Sequence, residues 1–347
     1  MVKTVAIEAF WRSSGPILDV RSPGEYEQGH LPGAISLPLF TNEERAQVGI
    51  CYKQRGKEAA VELGFDRLGP KLGDMLRQAK AIAPERTVRV HCWRGGMRSG
   101  GVAWGLQMAG FQVTTLKGGY KAFRHWAQAI HATSRSIIVL GGMTGTGKTH
   151  ILKALQEQGE QVLDLEGLAN HRGSSFGSLD MPPQPSTEQF ENLIADHLSQ
   201  LDSTRPVWIE AESRRVGTCR IPDPLFKLME AAPTIEITRP LEERLDILID
   251  VYGQTNRAEL IAAIERIRKR LGGLRTQQAI DFIHQDNAPA VCELVLEYYD
   301  RTYRYDLERR NKVIPKIDMT GLSSTAAAKL LVEKAPFLTT VNIPLET

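Results

Sequence analysis

The chain has 347 residues, 42% of them hydrophobic and 24% charged, with a formal net charge of +2, the composition of a globular protein long enough for two domains. No run reaches the ~18 apolar residues of a membrane span, and Met1-Val2-Lys3-Thr4 does not lead into a signal peptide's apolar core, so a cytoplasmic protein with no membrane partner is expected. Cys51, Cys92, Cys219 and Cys292 stand far apart without CxxC spacing, which excludes a disulfide framework or a zinc knuckle and leads us to expect no bound metal.

An α/β protein is expected from the order of elements. Residues 16–20 and 87–90 read as strands among helix-like stretches, and the polar connector at 131–135 marks a boundary. The expected domains are therefore 1–130 and 135–347. Residues 136–140 open the second α/β unit as a strand, and Ile151, Leu152, Ala154 and Leu155 lie at helical spacing before Gly159. Further strands are expected at 161–165, 207–209 and 234–238. Residues 172–187, rich in Gly, Ser and Pro, read as a mobile loop, and 241–310 as mostly helical. Charge is uneven: residues 1–134 hold 18 Lys/Arg against 11 Asp/Glu, and the remainder 25 against 30. The basic first half suits an anionic substrate.

Chemistry concentrates at two strand–loop–helix turns. In the first, His91-Cys92-Trp93 runs into Arg94, Gly95, Gly96, Met97, Arg98 and Ser99. Backbone N–H groups and a helix dipole converge in such a loop, and nearby arginines favour a thiolate, so Cys92 is the expected nucleophile. The glycines permit the tight curvature.

Residues 5–127 resemble a rhodanese domain. Asp19-Val20-Arg21-Ser22-Pro23 with Glu25-Tyr26, then Gly29-His30-Leu31-Pro32-Gly33-Ala34-Ile35, and later Leu116-Lys117-Gly118-Gly119-Tyr120, carry the likeness. One feature departs from it. Arg98 lies six positions after Cys92, one further than in ordinary sulfurtransferases, which is the spacing of cysteine phosphatases. Taken alone, the first domain leaves sulfur-group transfer and phosphate-ester cleavage both open.

The second turn, Gly142-Met143-Thr144-Gly145-Thr146-Gly147-Lys148-Thr149, fits GxxxxGK followed by Ser or Thr, with a strand before and a helix after. Its N–H groups cradle phosphate oxygens, Lys148 supplies a point charge, and Mg²⁺ is an optional companion. The expected acidic partner is Glu210, with Glu212 and Arg214 beside it, as acid, base or orienting groups. Glu replaces the usual Asp here, which weakens the case for nucleotide hydrolysis.

The two halves in this order resemble the tRNA 2-selenouridine synthase family across nearly the whole chain. The likeness rests on the two loops, on Asp164-Leu165-Glu166, His171-Arg172-Gly173-Ser174 and Phe176-Gly177, on Glu210 to Arg214, and on Tyr52-Lys53-Gln54 with Ala59-Ala60. It implies conversion of 2-thiouridine at the tRNA wobble position to 2-selenouridine: geranyl diphosphate alkylates the sulfur, then selenium from selenophosphate replaces the S-geranyl group. No tightly bound cofactor is expected. Tyr299, Arg301, Tyr303, Arg304, Arg309 and Arg310, with the basic stretch 257–275, mix aromatic and cationic side chains as a tRNA-binding surface would. Two rival readings are a small-molecule kinase fused to a sulfurtransferase or phosphatase-like domain, with Arg239 and Arg244 as phosphate clamps, and a nucleotide-switched tRNA binder.

Overall fold

The computed structural model describes residues 2–253, 255–308 and 314–339, the stretches 301–308 and 336–339 by backbone only. It divides into two compact units, Met1–His131 with Glu191–Asp196, and Ala132–Phe190 with His197–Thr347. No helix among the described residues is long and apolar enough to cross a membrane.

In the first unit, strands β1 (Lys3–Val5), β2 (Ile17–Asp19), β3 (Ala34–Ser36), β4 (Thr87–His91) and β5 (Gln112–Leu116) form one parallel sheet in the order β1-β5-β4-β2-β3. Neighbouring residues of a strand serve opposite cores. Leu18 packs with Val88, Val90, Val102 and Leu106, whereas Ile17 packs with Phe10, Leu116 and Phe123. Helices cover both faces of the sheet. Between β3 and β4 lies the helix Asn42–Leu68, which starts on a Thr41/Glu44 capping box and breaks at Gly56 (φ 88°). Tyr52, Lys53 and Gln54 are exposed on it.

The second unit holds β6 (Ile137–Gly142), β7 (Gln161–Leu163), β8 (Val207–Glu210), the hairpin β9 (Arg215–Val216) with β10 (Cys219–Arg220), β11 (Thr234–Thr238) and β12 (Lys316–Asp318). Its main sheet is parallel, in the order β12-β11-β6-β8-β7. β8 separates β6 from β7, so the expected β-α-β unit is not a pair of adjacent strands. Ile151, Leu152 and Leu155 of the helix Lys148–Glu157 share a core with Leu331 of the helix Ser324–Thr339. The expected helical region is present in the helices Leu241–Tyr252, Arg257–Arg266, Arg268–Leu271, Gly273–His284 and Ala288–Glu308. Their core includes Phe176 and Leu179, 5% and 4% exposed, from the stretch expected to be a mobile loop. Two buried apolar side chains pin that stretch, which its Gly/Ser/Pro content did not reveal.

Candidate active sites at two anion loops

β4 lies between β2 and β5, so it delivers His91 and Cys92 to the carboxyl edge of the first sheet, where ligands of parallel sheets bind. The chain then turns into the helix Met97–Met108. At Gly95 (φ 63°) a Cβ would fall 2.4 Å from the Leu116 carbonyl oxygen, and at Gly119 (φ 58°) 2.2 Å from that of Cys92. The cysteine loop and the Gly118-Gly119 turn therefore touch backbone to backbone. Tyr120 N and Lys121 N donate to the carbonyls of Cys92 and Trp93, both at 2.9 Å, which ties those acceptors away from the loop's centre.

Cys92 is 3% exposed, with Ser99 Oγ 3.2 Å from its Sγ. Burial pushes its thiol pKa up, but the Ser99 hydroxyl and N–H, the Arg98 charge and the Gly96 N–H outweigh burial and hold it below the usual thiol value. Arg98 is not a free cation. It donates to both carboxylate oxygens of Glu25, at 2.7 and 3.3 Å. Arg94 and Met97 are exposed, and Arg94 forms no ion pair among the described residues. Beneath the loop Asp19, Arg21 and His91 are fully buried, Arg21 forking onto Asp19 and lying 3.8 Å over the Tyr120 ring. Burial lowers the His91 pKa to about 4, so this histidine is neutral near pH 7. Loop dipoles and the Arg98 charge, rather than a histidine base, lower the Cys92 pKa.

The phosphate loop leaves β6 and enters the helix Lys148–Glu157. Gly145 and Gly147 have φ of 81° and 83°, the left-handed conformation that lets consecutive N–H groups curl round an anion. Two arginines brace it from outside. Arg244 donates to the Thr144 carbonyl at 2.9 Å and forks onto Asp300 at 3.0 and 2.6 Å. Arg239 donates to the Thr146 carbonyl at 3.2 Å and pairs with Glu243. Both are spent on the loop's carbonyls and on acids, so neither is a free clamp of the kinase kind. Lys148 Nζ donates to the Gly142 carbonyl at 2.7 Å, within the loop it would use to hold a phosphate.

Three glutamates gather beside it. Thr149 Oγ1 donates to Glu166 at 3.0 Å, and Glu166 N donates to Glu210 Oε1 at 2.7 Å. Burial raises the Glu210 pKa well above the carboxylate range, with the Asp164 and Glu166 charges adding to it. Burial and the Glu166 charge push Glu212 up to about 8. Glu210 thus orients Glu166 from behind, while Glu166 and Glu212 line a cavity of about 350 Å³. That cavity's other wall is apolar: Ile247, Leu248, Val251 and Tyr252 of the helix Leu241–Tyr252, with Tyr299.

Of the residues singled out in the sequence, Gly142, Gly145, Gly147, Lys148, Thr149 and Glu212 line this cavity, whereas Thr146 is buried with its hydroxyl on the Met143 carbonyl. Arg214 is drawn elsewhere, pairing with Asp223 and covering Phe226. Tyr299, expected on a tRNA surface, instead lines the cavity with its hydroxyl accepting from Ser175 N at 2.8 Å. Arg301, Tyr303 and Arg304 lie where only backbone is described, and Arg309 and Arg310 lie outside the described residues. In the other basic stretch, Arg257, Arg268 and Arg275 pair with Asp286, Glu265 and Glu297. Sequence reasoning gave no role to Glu166, although it stands in a quoted motif, or to the apolar wall, whose residues look like ordinary helix core.

Among the described residues no group of three His, Cys, Asp or Glu side chains could hold a metal ion. A rhodanese-like domain matches residues 6–125, and the tRNA 2-selenouridine synthase AAA domain matches residues 135–329. Three proteins named tRNA 2-selenouridine synthase align along most of the chain. That of Marinobacter nauticus is 36% identical over 85% of this chain and 89% of its own, and that of Sulfurovum sp. is 36% identical with the same coverages. That of Hydrogenovibrio crunogenus is 35% identical over 88% of this chain and 92% of its own. Similarity of this extent across both units places the chain in the tRNA 2-selenouridine synthase family.

Proposed function

We propose that the chain is a tRNA-modifying transferase that converts wobble 2-thiouridine to 2-selenouridine in two steps, one at each loop. In the first, the thiouridine sulfur bonds to C1 of geranyl diphosphate, the C1–O bond breaks, and diphosphate leaves. Lys148 and the N–H groups of the phosphate loop take up the charge that develops on the leaving group. In the second, the selenium of selenophosphate bonds to C2 of the base, the C2–S bond breaks and geranyl thiol leaves. Water cleaves the Se–P bond to release phosphate, with the Cys92 loop as the seat of selenophosphate. A loop that surrounds Cys92 with Gly96 and Ser99 N–H donors suits a tetrahedral oxyanion. Of the chain's two regions, 1–130 would carry the selenium chemistry and 135–347 the alkylation and tRNA contacts.

One observation carries this reading: the phosphate loop opens onto an apolar wall of Ile247, Leu248, Val251 and Tyr252, which matches a diphosphate with a hydrocarbon tail. The arginines that a kinase would aim at a transferring phosphoryl group are engaged behind the loop instead. The test incubates the protein with tRNA bearing 2-thiouridine, geranyl diphosphate and selenophosphate, and follows the wobble nucleoside by mass. S-geranyl-2-thiouridine followed by 2-selenouridine is the expected sequence. ATP-dependent phosphorylation with no geranylated nucleoside would overturn the proposal.

A further inference from the structure

The apolar wall has an order along it. Arg244, early in the helix Leu241–Tyr252, lies against the phosphate loop: a Cβ on Gly145 would come within 2.8 Å of its carbonyl oxygen. Ile247 follows, its Cδ1 3.5 Å from where a Gly147 Cβ would stand. Val251 is one turn further along the same face, and Tyr252 comes last. There an aromatic cluster bounds it, and Tyr252 also lines a second cavity with Leu260, Ile283 and Val291. The Tyr252 ring packs 6.2 Å from Phe176 and has Arg172 5.6 Å over it, while Tyr299 packs 6.4 Å from Phe176 on a hydroxyl tied to Ser175 N. From Ile247 to Tyr252 the helix advances about 7.5 Å. A chain of two isoprene units spans roughly 10 Å at ordinary bond lengths.

Resting on the reading that this cavity takes a prenyl diphosphate, we infer that the helix Leu241–Tyr252 is a chain-length gauge. Ile247 meets the carbons next to the diphosphate, Val251 the second isoprene unit, and Tyr252, backed by Phe176 and Tyr299, is the stop that rejects a third. A tail longer than two units would have to displace a packed aromatic cluster, and a shorter one would leave apolar wall unfilled. Both errors lower binding of the tail without touching the diphosphate.

The experiment compares dimethylallyl, geranyl and farnesyl diphosphate as competing donors to 2-thiouridine tRNA, reading the ratio of the alkylated nucleosides. The wild type should favour geranyl over each rival by at least about tenfold, the worth of a few methylene contacts. Tyr252→Ala should raise the farnesyl-to-geranyl ratio about tenfold or more, and Val251→Phe should shift preference toward dimethylallyl. Tyr252→Leu is the variant to use if the alanine variant does not fold, and binding of inorganic diphosphate at the phosphate loop reports that the site is intact. Ratios unchanged in variants that bind diphosphate and still alkylate would overturn the gauge while leaving the prenyl reading standing. A wild type that alkylates with none of the three donors removes the prenyl reading, and the gauge falls with it.

Discussion

The two loops share one topology and differ in how they handle charge. Each follows the middle strand of a five-stranded parallel sheet, β4 in one unit and β6 in the other, and each runs into a helix. In the cysteine loop the carbonyls of Cys92 and Trp93 are tied by backbone N–H groups, and the arginine at the helix start is neutralised by Glu25. In the phosphate loop the carbonyls of Thr144 and Thr146 are tied by arginine side chains, and Lys148 brings a cation into the loop itself. Both suit an anion held by backbone N–H groups, but the first adds the Cys92 thiol and an arginine already paired with Glu25, whereas the second adds the Lys148 ammonium.

The largest effect should come from the cation of the second loop. Lys148→Ala is expected to cut geranylation by on the order of 10²–10³, the scale of losing one preorganised donor to a leaving group. Undiminished S-geranyl product at saturating donor would show that the phosphate loop does not serve the alkylation. The matching change in the first loop is Cys92→Ala. It should abolish selenium insertion into tRNA geranylated beforehand, yet alter geranylation by less than about twofold, as independent sites do. Selenouridine formed by that variant would make Cys92 structural.

A finer contrast concerns the Arg98–Glu25 pair. Phosphate should protect Cys92 from iodoacetamide, and Arg98→Ala should weaken that protection by roughly 1.5–3 kcal/mol, the scale of a hydrogen bond to a charged group. Glu25→Gln, which releases Arg98 from its carboxylate, should act in the opposite direction. Alkylation indifferent to phosphate in all three proteins would mean that the loop holds no tetrahedral anion.

The smallest effect is one of stability. Glu212 titrates at about 8 in the folded unit against an ordinary 4.5, because burial and Glu166 oppose its charge. The folded state keeps a proton that the unfolded chain has released, so this stabilisation is complete below the unfolded pKa and is lost as pH rises toward 8. Glu212→Gln should flatten that loss between about pH 5 and pH 8, with a Tm gain of a few degrees at the upper end. Parallel melting curves for the two proteins across that range would place Glu212 in contact with water.

Much of this was legible in the sequence because it is local. A strand, a glycine loop and a helix within about twenty residues form a local pattern, and the structure has a strand before and a helix after each loop. What escaped notice depends on residues far apart. Glu25 and Arg98 are separated by 73 positions, and the Thr144 carbonyl lies 100 before the arginine that grips it. No spacing rule connects such pairs. Ile247, Leu248 and Val251 escaped for another reason: a helical apolar stripe facing a cavity has the same pattern as one facing a core. Tyr299 shows the reverse error, since an aromatic among arginines suggested an exposed base-stacking surface and the fold turned it inward.

The bracing of the phosphate loop by Arg239 and Arg244 has a calorimetric consequence. A loop whose carbonyls are already fixed needs little ordering when its ligand arrives, so inorganic diphosphate should bind with almost no change in heat capacity. Any negative heat-capacity change seen with a prenyl diphosphate then belongs to its tail alone. It should deepen with each isoprene unit that the wall covers and stop deepening where the wall ends.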